Sequence, residues 1–93
     1  MILSVKHNVA DFQAWKAVFD EHVTNRKQHG ATGHRFAQSL DDPNELTVLI
    51  MFPDRPAAEG FLADASVGEA MANAGVTSEP TVELLEVTEE VAY

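Results

Sequence analysis

The chain contains no cysteine, which excludes disulfide frameworks, thiolate nucleophiles and zinc ribbons together. It holds no apolar run long enough to span a bilayer, and its N-terminus lacks the basic-then-apolar pattern of an export signal. A cytoplasmic location is therefore expected. Basic residues are scarce: six Lys and Arg stand against fifteen Asp and Glu, for a net charge of −9. Residues 1–35 are slightly basic at +2, whereas the remainder sets Arg55 alone against twelve acids and carries −11. With no basic stripe to neutralise phosphates, neither nucleic acid nor an anionic membrane surface is an expected partner. The acidity itself serves solubility. Also missing are a glycine-rich phosphate loop and any H-x-x-x-H or H-E-x-x-H spacing among the four histidines, so no metal site and no cofactor are expected.

What is present is a globular composition, 45% hydrophobic over 93 residues. That makes one domain, residues 1–93, near the size at which a partner subunit often helps. The stretch from Asp11 to Gly30 organises it. At about 100° per residue, Phe12, Trp15, Val18, Phe19 and Val23 fall on one side of a helix, with Lys16, Asp20, Glu21, Thr24, Lys27 and Gln28 on the other. Asp11 is a suitable N-cap and Gly30 a suitable C′ residue. The anomaly is that His22 and Arg26, one turn apart, project onto the apolar side in line with Trp15 and Phe19. An imidazole and a guanidinium placed there are either paired or line a cavity.

The other elements come in order along the chain. Ile2 to His7 alternates as a first strand, with Leu3, Val5 and His7 on one face and Ile2, Ser4 and Lys6 on the other. Gly33 to Leu40 and Glu45 to Phe52 form an antiparallel hairpin around a turn at Asp41-Asp42-Pro43-Asn44. Asp54 caps a further helix with Pro56 in its first turn, ending near Ala65. A capping box at Ser66 to Glu69 starts another segment that contains Met71 and stops at Gly75, so a kink or two short helices are expected. Thr81 to Val87 is the last strand, and Thr88 to Tyr93 is either a frayed tail or an arm that docks elsewhere.

This β-α-β-β-α-β order specifies an α+β fold of ferredoxin-like type, with an antiparallel four-stranded sheet carrying its helices on one face. The opposite face is not cleanly polar. Leu49 and Met51 lie behind Leu46, Val48, Ile50 and Phe52, while Leu85 and Val87 lie behind Val82 and Leu84. A sheet with one wet face alternates more strictly. A second copy of the same sheet is the simplest cover, so a homodimer joined through its sheet faces is expected.

The run Val5-Lys6-His7-Asn8-Val9-Ala10-Asp11-Phe12 leading to Trp15 and Phe19, the DDPNELTVLIMF hairpin, and the Ala-rich helix ending Ala74-Gly75-Val76 together resemble the dimeric α+β barrel superfamily. The likeness is to its antibiotic biosynthesis monooxygenase-like domains and covers nearly the whole chain. It implies a pocket between sheet and helices. Such domains include cofactor-free monooxygenases acting on phenolic or quinol substrates, haem-degrading enzymes and polyketide-cyclase-like proteins. The haem-degrading branch uses an asparagine near the first strand with a tryptophan and a histidine from the C-terminal half. Asn8 answers the first, but residues 53–93 contain neither Trp nor His, so haem degradation is not expected.

Among side chains able to do chemistry, His22 is the natural general base for a phenolic or enolic proton. Otherwise it is a core-edge histidine bonded to a backbone carbonyl. Arg26 suits an oxyanion or carboxylate, or else it snorkels near the helix end, capping carbonyls and paired with an acid of the C-terminal half. His7 is expected on the helix-facing side, near the pocket, with Asn8 beside it to orient a ligand or cap the turn. Trp15, Phe19, Phe36 and Phe61 are expected in the core, and such a wall also suits a flat aromatic ligand. His34 is expected to be exposed at a strand edge, and His29 to complement the helix dipole. Two functions fit: a cofactor-independent monooxygenase or cyclase acting on a small aromatic or polyketide-like molecule, or a non-catalytic homodimer that binds a ligand or fills a structural role.

Overall fold

Asp11 opens the first helix as its chemistry dictates, its carboxylate accepting the Ala14 N–H at 2.9 Å. In the computed structural model, which describes residues 1–93, the expected single helix from Asp11 to Gly30 is two helices. They are α1 (Phe12–Glu21) and α2 (Val23–Gln28). His22 breaks them apart with φ −89° and ψ 11°, and its N–H reaches back only three residues, to the Phe19 carbonyl at 3.2 Å. The reason is local: the next three residues, Val23, Thr24 and Asn25, all have poor helix propensity. Gly30 then closes α2 at φ +93°, a conformation that glycine adopts without strain.

The second helical region is also two pieces, α3 (Arg55–Ala63) and α4 (Ala65–Asn73). Their junction lies two residues before the expected capping box. Asp64 both ends α3 and caps α4, taking the Ser66 N–H at 2.9 Å and the Ser66 hydroxyl at 2.8 Å on one carboxylate oxygen. Ser66 is therefore a donor to the cap and not the cap itself, because an ionised carboxylate is the stronger acceptor.

The four strands are β1 (Ile2–Asn8), β2 (Gly33–Gln38), β3 (Glu45–Met51) and β4 (Thr81–Leu85). They pair antiparallel in the order β2-β3-β1-β4, the ferredoxin-like arrangement that the element order specifies. Three strands stop short of the expected ends: β2 before Ser39 and Leu40, β3 before Phe52, and β4 before Glu86 and Val87.

Register fixes the faces, because residues directly opposite each other share one. Leu3 lies opposite Ile50 and Leu84, Val5 opposite Val48 and Val82, and His7 opposite Leu46. This is the face under the helices, where Leu3, Leu46, Val48 and Ile50 are buried with Trp15, Ala58 and Phe61. The reverse face aligns Ile2 with Met51 and Leu85, and Ser4 with Leu49 and Glu83. Leu85 there is 42% exposed. Residues 86–93 carry no regular structure, and Tyr93 is fully exposed. No helix is long and apolar enough to cross a membrane.

Candidate functional site

Between the sheet and the helices lies a cavity of about 100 Å³. Leu3, Val5, Val48 and Ile50 form its floor, α1 supplies Trp15, Val18 and Phe19, and α3 and α4 supply Phe61, Val67 and Met71. Strand alternation delivers the floor and helix periodicity delivers Trp15 and Phe19, so both are legible in the sequence. Four polar side chains interrupt the hydrocarbon: His7, His22, Asn25 and Arg26.

Arg26 is only 4% exposed, yet no carboxylate pairs with it. Its Nη1 donates to the Phe19 carbonyl at 2.7 Å, one of the last acceptors of α1, and its Cζ sits 3.7 Å above the Phe19 ring centroid. The expected partner acid from the C-terminal half is therefore absent. The nearest acidic influence is Asp20, itself bound to Lys16 at 2.6 Å. Burial pulls the guanidinium below its ordinary pKa, with Asp20 opposing. Its Nη2 is buried without a partner.

His7 lies at the far end of the floor, 5% exposed, its ring edge-on to Trp15 with centroids 5.9 Å apart. Its Nδ1 is buried and unpaired. Desolvation is the dominant influence and holds the imidazole below its ordinary pKa of 6.5, so it is neutral at pH 7, with one donor and one acceptor nitrogen. An unfolded chain takes up this proton near pH 6.5 while the folded one resists it, so stability is fully present above pH 6.5 and falls as the pH drops toward the lowered value. Urea unfolding between pH 7 and 5 should show that loss, and His7→Gln should reduce it to the share contributed by His34, whose pKa burial also lowers.

His22 stands at the α1–α2 break, half-buried and facing the cavity. It makes no side-chain cap to α2.

Asn25 is the residue that sequence reasoning missed. A continuous helix would have turned Val23 inward, but the break resets the phase, leaving Val23 39% exposed and bringing Asn25 to the cavity. The weak-helix run Val23-Thr24-Asn25 was the available signal. The Asn25 Nδ2 donates to the Asp64 carboxylate at 3.0 Å and to Ser66 Oγ at 3.4 Å, while its Oδ1 is buried and unpaired.

Of the candidates drawn from the sequence, His7, Trp15, Phe19, His22 and Arg26 converge on this cavity. Asn8 does not. It is exposed, lies on the reverse face, and its backbone binds Thr77 and Ser78. His29, expected only to complement the helix dipole, binds the Asp64 carboxylate at 2.9 Å. His34 is exposed and stacks parallel to Phe36 with centroids 5.9 Å apart.

No family profile matches the chain, and no functionally curated protein resembles it in sequence. Solved structures do. SnoaB, a cofactor-independent oxygenase from Streptomyces nogalater, superposes with a TM-score of 0.71 at 18% identity over 94% of this chain and 93% of its own. An antibiotic biosynthesis monooxygenase candidate from Caulobacter crescentus CB15 gives 0.75 at 17% identity over 95% and 89%. Rv0793 from Mycobacterium tuberculosis gives 0.69 at 16% identity over 98% of both chains. The chain thus has the fold of the antibiotic biosynthesis monooxygenase-like structures, which the sequence resemblance implies. At these identities the likeness concerns the fold.

Proposed function

From a fold shared with a cofactor-independent oxygenase, we propose that this protein binds a small hydroxylated aromatic or polyketide-like molecule in its cavity and oxygenates it without a cofactor. One observation carries the reading. The buried side-chain atoms without a partner are His7 Nδ1, Asn25 Oδ1 and Arg26 Nη2, and all three residues line this apolar cavity. A buried polar atom left unpaired costs about 1–3 kcal/mol, so three on residues around one cavity mark a place where a polar ligand, met by a small turn of these side chains, would offset that cost.

The chemistry comes from the groups present. His22 removes the proton of a phenolic hydroxyl, and Arg26 holds the resulting oxyanion. The electron-rich ring carbon then bonds to dioxygen, which is the oxidant. Protonation gives a hydroperoxide, and loss of the ring proton with cleavage of the O–O bond releases water and leaves a quinone. A phenol and one O₂ thus become a quinone and one H₂O. Oxygen uptake with a panel of hydroxylated aromatics tests this. His22→Ala should lower the rate about 10²- to 10⁴-fold while ligand binding persists. An unchanged rate would remove His22 from the reaction.

A second reading is binding without turnover, as a non-catalytic homodimer. What favours it is that His22 has no hydrogen-bonded partner to orient it, whereas catalytic bases usually do. Binding with no oxygen uptake by any bound phenol would select it.

The reverse face of the sheet supports a homodimer, since Ile2, Leu49, Met51 and Leu85 present apolar surface there that the chain itself leaves uncovered. Sedimentation should return a mass near twice 10.2 kDa, and a monomer would leave that surface without its cover.

A further inference from the structure

The reverse face of the sheet carries its charges in an ordered way. Register places Arg35 of β2 opposite Leu49, Leu49 opposite Ser4, and Ser4 opposite Glu83 of β4. One transverse row therefore runs Arg35, Leu49, Ser4, Glu83, with a cation at one edge of the sheet and an anion at the other. At about 4.8 Å per strand the two charges stand about 14 Å apart, too far to meet within the chain. Both are exposed, and neither takes part in any of the four ion pairs. The other two charges on this face, Lys6 and Glu45, do pair with each other, at 3.5 Å. The adjacent row runs Gly33, Met51, Ile2, Leu85 and is apolar from edge to edge, with Leu85 42% exposed.

When two copies of such a face pack with their strands aligned, the two-fold axis lies either across the strands or along them. With the axis across the strands at this row, each strand covers its own copy, so Arg35 lies over Arg35 and Glu83 over Glu83. With the axis along the strands, between β3 and β1, β2 covers the partner's β4 and β3 covers the partner's β1. Arg35 then faces the partner's Glu83, twice by symmetry. Shape agrees with charge under the same operation. Gly33, which has no side chain, faces the exposed Leu85, and Leu49 faces the small Ser4. Lys6 and Glu45 face the uncharged Thr47 and Asn8, so no like charges meet. Packed sheets stand about 10 Å apart, a gap that an arginine and a glutamate reaching from opposite sides can close. We propose that Arg35 and Glu83 fix how a second copy docks: the dimer axis runs along the strands, and one Arg35–Glu83 pair between chains stands at each edge of the sheet. The pairs choose the arrangement, because the alternative sets like charge against like.

This inference rests on the homodimer reading of the reverse face, and the test separates the two. Dimer dissociation constants are measured by sedimentation equilibrium at low salt for the wild type and for charge-reversed variants, with circular dichroism to show that each is folded. Arg35→Glu and Glu83→Arg should each raise the constant at least about 10-fold, since either change sets like charges together twice. Net charge alone predicts the opposite for the second variant. Glu83→Arg brings a chain of −9 two units closer to neutral, which should tighten association if overall repulsion were all that mattered. The two variants mixed in equal amounts should form a heterodimer within about 3-fold of wild-type affinity, and a double variant carrying both changes should do the same alone. Glu83→Arg dimerising as well as the wild type, or a mixture no tighter than its parts, overturns the docking geometry and leaves the homodimer standing. A wild type that stays monomeric removes the homodimer, and this inference falls with it.

Discussion

Trp15→Ala should cost about 3–5 kcal/mol of stability, the usual range for emptying a large aromatic site in a core. Small domains have about 5–15 kcal/mol in total, so much of the population should be unfolded at modest urea concentration. Trp15 is 4% exposed and central to the aromatic packing. It stacks on Phe19 with centroids 4.9 Å apart and on Phe12 at 6.1 Å, and it meets Phe36 edge-on at 5.3 Å. The damage should extend to the cavity, because Phe19 supplies both the ring and the carbonyl that hold Arg26. Trp15→Phe keeps a flat apolar ring and should recover most of the loss. Urea midpoints of the three proteins measure this, and a cost below about 1 kcal/mol for alanine would show that the site collapses around the change.

Arg26→Met should separate stability from binding. Arg26 is a cation that the fold has taken out of water without giving it a carboxylate. Replacing a buried charge by a hydrocarbon of similar shape is often neutral or stabilising, by about 1–4 kcal/mol. Methionine can still lie over the Phe19 ring through its sulfur, and the Phe19 carbonyl keeps the His22 N–H at 3.2 Å. The variant should therefore unfold at the same or a higher urea concentration than the wild type. Its turnover of a phenolic substrate should fall about 10²- to 10³-fold, the usual consequence of removing one oxyanion donor. Paired urea and oxygen-uptake measurements decide the matter. A stability loss above about 2 kcal/mol with activity retained would make Arg26 a structural cap and nothing more.

These two residues also show what the sequence conveyed and where it stopped. Alternation along Leu3, Val5 and His7 and helical spacing of Trp15 and Phe19 are properties of neighbouring residues, so the floor and one wall of the cavity could be read directly. Asp11, Gly30 and Gly75 punctuate the helices where expected, since capping chemistry is equally local. The break at His22 depends on a competition between a short run of weak helix formers and the packing of α2 beyond it, which a periodic template smooths over. Its consequence is the exchange of Val23 for Asn25 at the cavity. The Asp64 cluster was harder still to foresee. His29 and Asn25 reach an acid 35 and 39 residues away, a distance across which sequence pattern carries no information. Asn8 shows the opposite limit, lying away from the cavity on the reverse face. It neighbours His7 in sequence, but successive strand residues face opposite sides.

Trp15 is the only tryptophan in the chain, and it stands in the cavity wall against His7. Indole fluorescence excited beyond the tyrosine band therefore has a single origin. Emission from so buried an indole should be shifted to the blue, and an aromatic guest entering beside it should quench or displace that band. Protonation of the adjacent imidazole should dim it as well, because imidazolium quenches indole. The protein thus carries its own optical probe at the point where occupancy and proton uptake are to be read, and a titration needs no label.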